Sequence, residues 1–191
     1  MLATLIKNPV LQRLLMVLAS LILYFVSLEI TKLSPEILIH DQWIYLVFLP
    51  AGIRLLSIML FGAWGAIGDC IALLISAAGI LPDQHIAVWL SFATSSSLAS
   101  LFAIRLTMNQ LRINLDLSNL QYWQIPVLSL VSNLIHAFVT QFTLSYFLQK
   151  QYQFYVRDSL AMALGDFIGT MLIIGAVTIG IKLFRAHQTS Y

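Results

Sequence analysis

The sequence predicts an all-α polytopic membrane protein, a six-transmembrane-helix bundle with a broken or re-entrant segment before Arg54. Three observations carry that expectation. Hydrophobic residues make up 60% of the 191 positions and charged residues 9%. Soluble domains carry about 25% charged residues, so this chain has too few to cover a water-exposed surface. Apolar runs of roughly 20 residues, the length needed to cross a bilayer core, recur along the chain. Lys and Arg gather on one side of the intervening loops.

The first span, Gln12 to Ile30, follows Lys7 and Arg13 much as the apolar region of a signal peptide would. No small-x-small cleavage site follows, and the run ends in Glu29-Ile30-Thr31-Lys32, so it reads as a retained span. After the polar interval Thr31 to Gln42, the apolar stretch Trp43 to Leu81 is too long for one crossing. It divides at Gly62-Ala63-Trp64-Gly65 into spans near 44–62 and 65–81. Further spans are expected near 86–106, 125–148 and 159–183, with an amphipathic cytoplasmic segment from Thr107 to Gln124. The whole of 1–191 reads as one integral membrane domain.

Orientation follows from the basic residues. With both termini cytoplasmic, Lys7, Arg13, Arg105, Arg112, Lys182 and Arg185 lie inside, and Lys32, Lys150 and Arg157 outside. That bias suits a multi-pass protein of a bacterial inner membrane. Tyr45, Trp89, Tyr122, Trp123 and Tyr146 fall near span ends, as an interfacial aromatic belt does.

Several function classes drop out. The net charge of +2 is small and its basic residues are scattered, which argues against nucleic acid. Cys70 is the single cysteine, so no intramolecular disulfide can form, and His40-Asp41 and Asp83-Gln84-His85 lack a convincing metal-ligand set. No Gly-rich phosphate loop, nucleophile elbow or paired metalloprotease histidines occur, and neither catalysis nor a cofactor is expected.

Ionisable residues inside apolar runs are functional candidates because an unpaired charge in hydrocarbon is expensive. Three stand out: Arg54, Asp69 and Asp166. Pro50-Ala51-Gly52 interrupts the stretch before Arg54, so a helix should begin near Ala51 with Arg54 in its first turn. Free N–H groups and the positive helix end would then point with the guanidinium towards an anion. The alternative is that Arg54 is neutralised by Asp166 and only holds the bundle together; a ligand could join such a pair. Asp69 follows Gly65 and Gly68 and reads as a carboxylate near a helix start, a structural or ion site too far from Asp166 for contact.

The fifth span carries Ser129, Ser132, Asn133, His136, Thr140 and Thr143 on one helical face. His136 falls near mid-span, where an imidazole can bind a proton or a ligand group. Thr94 to Ser97 and Ser100 add hydroxyls to span four, a pattern that suits close packing. Ala161, Gly165 and Gly169 form a small-residue ridge that lets a neighbouring backbone approach.

Phe48-Leu49-Pro50-Ala51-Gly52-Ile53, with Gly62 ten residues on, resembles the proline-glycine signature of the first membrane-associated sensor (MASE-type) domain family. Ala163-Leu164-Gly165-Asp166-Phe167-Ile168-Gly169 resembles that family's Gly-Asp-x-x-Gly element. The resemblance implies a polytopic sensory module, usually fused to a cytoplasmic kinase or cyclic-dinucleotide domain. This chain has one proline where members often have two, and Arg54 where they usually have an aliphatic residue. With no output domain before Tyr191, a signal is expected to pass to a separate protein. The architecture is also similar to the substrate-capture subunits of energy-coupling-factor vitamin transporters, although their small-residue motif in the first span is not evident here.

Three readings follow. The leading one is a sensor-like module that binds a small anionic ligand in the outer half of the bundle through Arg54, Asp166, Asn133, His136, Pro50 and Gly52, and acts through a partner protein. The second is a transport component capturing the same kind of ligand. The third is a structural membrane protein with no ligand.

Overall fold

Asn8 opens the first helix: its side-chain oxygen accepts the Val10 N–H at 2.9 Å, and Pro9 enters the first turn, where its missing N–H costs nothing. The computed structural model describes residues 8–35, 38–41, 44–148 and 156–188. Within them the elements are α1 (Pro9–Lys32), β1 (Ile39–Asp41), β2 (Ile44–Tyr45), α2 (Pro50–Phe61), α3 (Ala63–Ile80), α4 (Ile86–Gln110), α5 (Gln124–Phe147) and α6 (Val156–Gln188). All helices except α2 are long and apolar enough to cross a membrane. Leu14, Ile22, Ile75, Phe102, Phe142 and Leu172 point outward from the bundle, as a lipid-facing surface requires.

The second expected span takes a different form from a full-length helix over 44–62. β1 and β2 pair antiparallel, with Ile39 opposite Tyr45 and Asp41 opposite Ile44. An irregular piece, 46–49, then leads into α2, whose 12 residues reach only about 18 Å of a hydrocarbon core about 30 Å thick. The break expected before Arg54 is therefore present, and it uses more of the chain than a simple kink.

Gly62 ends α2 and α3 begins at the next residue. Its φ of +60° suits glycine, and a Cβ there would strike the Arg105 guanidinium. The amphipathic segment expected over Thr107–Gln124 is not a helix of its own. Helix α4 runs on to Gln110, and turns fill the interval before α5. Asn119 ties those turns together by accepting from the Asn114 N–H at 2.8 Å and donating to the Arg112 carbonyl at 2.7 Å. Hydrogen bonds from the Ser118 hydroxyl and backbone N–H hold the exposed Asp116 carboxyl below the usual carboxylate range.

Packing runs in a ring: α1 on α3, α3 on α4, α4 on α5, α5 on α6, and α2 between α6 and α1. Short α2 also touches α3 and α4, so it fills the middle of the ring over one half of its depth. There Leu55, Ile58 and Met59 meet Ala66, Ile104, Met108 and Leu128 in the main apolar core. Over the other half, no helix among the described residues occupies the middle.

Candidate functional site

Small residues bring the start of α2 against α6. The Phe48 N–H donates to the Gly165 carbonyl at 3.1 Å. A Cβ at Gly165 would collide with the Tyr45 carbonyl oxygen, and one at Gly169 with the Phe48 carbonyl. Gly52 faces Thr170 and Ile173 across the same contact. The ridge on α6 thus receives an irregular backbone as well as a helix. On the opposite side, the Thr31 hydroxyl of α1 accepts the Leu49 N–H at 3.2 Å.

This seating sets Arg54 beside two partners. Its Nη2 donates to Asp166 Oδ2 at 2.6 Å, and its Nη1 meets His136 Nε2 at 2.8 Å. Exposure is 2% for Arg54 and His136 and 1% for Asp166, so the pair is desolvated and each charge depends on the other. Arginine only donates, so His136 Nε2 is the acceptor and Nδ1 carries the imidazole proton. Nδ1 lies 3.1 Å from Ser100 Oγ and 3.4 Å from the Ser96 carbonyl, both on α4. The Ser96 hydroxyl bonds Thr140 Oγ1 at 2.7 Å, closing a network across α4 and α5. The hydroxyls of spans four and five therefore serve packing and also orient one imidazole.

Where α2 is absent from the middle of the ring, a cavity of about 510 Å³ opens. Its walls come from the C-terminal ends of α1, α3 and α5 and the N-terminal end of α4, with Phe25, Leu28, Leu73, Phe92 and Leu144 supplying apolar surface. Arg54, His136, Thr140 and Gln141 supply polar groups, together with Lys32 and Ser76. Ligand pockets span roughly 300–1,000 Å³ and combine apolar walls with a few convergent polar groups, as this one does. A second, small void of about 30 Å³ is lined by Tyr45, Phe48, Met162 and Asp166.

The expected site residues separate into groups. Arg54 and His136 line the large cavity, while Asp166 lies behind Arg54. Asn133 turns aside, donating to Ser129 Oγ at 3.1 Å and Thr170 Oγ1 at 3.3 Å. Pro50 and Gly52 are buried against α6 and do not border the cavity. Arg54 is the fifth residue of α2 and not in its first turn, and the N–H groups of Ala51 and Gly52 already bond the Phe48 and Leu49 carbonyls. The helix start is consequently closed as an anion cradle. Asp69 is the seventh residue of α3, beyond the reach of the helix-start dipole, and it accepts from Ser97 Oγ at 2.7 Å. His85 caps α4, its Nδ1 accepting the Ala87 N–H at 3.2 Å.

Sequence reading overlooked the aromatic and aliphatic walls, including Tyr24, Phe48 and Phe92. No periodicity in the sequence marks them, because the vacancy they line arises from the shortness of α2 within the ring. Comparison with known protein families, characterised proteins and solved structures gives no match to this chain. The likeness to the membrane-associated sensor family therefore rests on the two short segments alone.

Proposed function

We propose that this protein is an integral membrane module that binds a small acidic ligand in the cavity above Arg54 and His136 and acts through a partner protein. One observation carries the reading: a guanidinium held in place by Asp166 also lines an apolar-walled cavity. Only two of its five N–H groups are used in the bonds to Asp166 and His136, and a carboxylate or phosphate oxygen is the natural partner for the others. The apolar walls favour a ligand with an organic body over a bare inorganic anion. With both termini on the cytoplasmic side of an inner membrane, the cavity faces the outer half of the bilayer, suited to sensing from outside.

Vesicles reconstituted with the protein and given labelled octanoate test this reading. Saturable binding without accumulation supports a sensor-like module. Accumulation inside the vesicles supports the transport-component reading, which the same cavity also accommodates. Absence of saturable binding contradicts both.

A further inference from the structure

Asp69 lies in the bundle apart from the Arg54–Asp166 pair, with 2% of its surface exposed. Its Oδ2 accepts from Ser97 Oγ at 2.7 Å, and its Oδ1 has no hydrogen-bond partner. Among the described residues no cation lies within ion-pair distance of it. Beside the Ser97 hydroxyl of α4, the groups that interact with it electrostatically are Tyr24 of α1, Arg54 of α2, Asp166 of α6 and Cys70 on α3 itself. Arg54 is the one positive charge among them, and it is committed to Asp166 at 2.6 Å.

The guanidinium thus neutralises Asp166 and, among the described residues, leaves Asp69 without a paired cation. A buried ionised oxygen with no protein donor in hydrogen-bond reach carries a large desolvation penalty, whereas a neutral carboxyl carries much less. Leu73, Ser76 and Ala77, one and two turns farther along the same face of α3, line the cavity, so Asp69 lies about one helical turn from its wall. We propose that Asp69 is a proton-binding site. Its Oδ1 carries a proton at neutral pH, Ser97 holds Oδ2, and the cluster of Arg54, Asp166, His136 and Asp69 is electroneutral. Loss of that proton to water in the cavity sets two carboxylates against Arg54 and repels an anion from the cavity floor. If the ligand-binding reading above holds, anion affinity therefore falls as pH rises through the ionisation of Asp69.

Infrared spectroscopy of the purified, ligand-free protein tests the proton site without relying on any ligand. The wild type is expected to show the carbonyl stretch of a protonated carboxylic acid at neutral pH, shifted by deuterium exchange. The band should vanish in Asp69→Asn and move in frequency in Ser97→Ala. Should Asp69→Asn fail to fold, the shift in Ser97→Ala decides alone. The proposal is overturned by absence of the band, by its survival in Asp69→Asn, or by an unchanged frequency in Ser97→Ala. It is equally overturned if sodium raises the melting temperature of the wild type but not of Asp69→Asn, which would make the site one for a metal cation.

Discussion

Arg54 and Asp166, 112 positions apart in the chain, form an ion pair of 2.6 Å between helices α2 and α6. That contact ties a half-length helix to its neighbour at mid-depth and places the guanidinium at the floor of the cavity. The same bond therefore serves packing and site geometry.

Removing one partner leaves a buried charge without its counterion. Arg54→Leu or Asp166→Leu is expected to destabilise the protein by about 3–5 kcal/mol. The double substitution should recover most of that loss, because no lone charge remains. Reversible unfolding in mixed micelles of the two single variants and the double variant measures the coupling, and strict additivity would show that the residues do not act as a pair.

Glycines on α6 give a sharper packing test. Gly165→Ala and Gly169→Ala each push a methyl into a backbone carbonyl and should lower stability by about 1–3 kcal/mol. Gly175→Ala and Gly180→Ala, on the same helix, meet nothing within 4 Å and should cause no loss. Equal effects at all four positions would contradict the seating of residues 45–49 on α6.

Much of this arrangement was legible beforehand, and the reasons are local. Pro50 and Gly52 announced the break, because proline removes a donor and glycine permits close backbone approach. The apolar setting of Arg54 and Asp166 required a partner for each, so their meeting followed from electrostatics. The regular spacing from Ser129 to Thr140 placed His136 on a buried face. The depth of Arg54 within α2, the turning of Asn133 towards Thr170, and the cavity were not legible. They depend on how helices far apart in sequence pack, and no periodicity within one segment encodes that.

The orientation of His136 makes a spectroscopic prediction. With Nε2 accepting from Arg54, the ring should be neutral with its proton on Nδ1. Nitrogen NMR of labelled histidine should show a protonated Nδ1 and an unprotonated Nε2. His136→Phe removes the acceptor for Arg54 Nη1 and should cost about 1–3 kcal/mol through an unsatisfied buried donor. A protonated Nε2 in the wild type would break the assigned geometry.

Membrane orientation can be read by labelling. In a Cys70→Ser background, Asp83→Cys should react with a membrane-impermeant thiol reagent from outside intact cells. Asp116→Cys, in the turns between α4 and α5, should react only after the membrane is opened. The reverse pattern would place the cavity in the cytoplasmic half.

Melting temperature reports most directly on whether the cavity above Arg54 and His136 holds an acidic ligand. The measurement compares wild type, Arg54→Lys and Ser76→Phe against octanoate, benzoate and phosphate monoesters. Ser76 lines the cavity and takes no part in the Arg54–Asp166 bond, so the added ring is expected to take up space a ligand would need. A ligand at a hundredfold excess over its Kd should add about 2.7 kcal/mol of stability to the wild type. The expected result is a rise in the wild type that is lost in Ser76→Phe and reduced in Arg54→Lys, whose ammonium lacks the planar guanidinium fork. A panel with no effect on stable wild-type protein, or an equal rise in Ser76→Phe, would contradict a ligand site in this cavity.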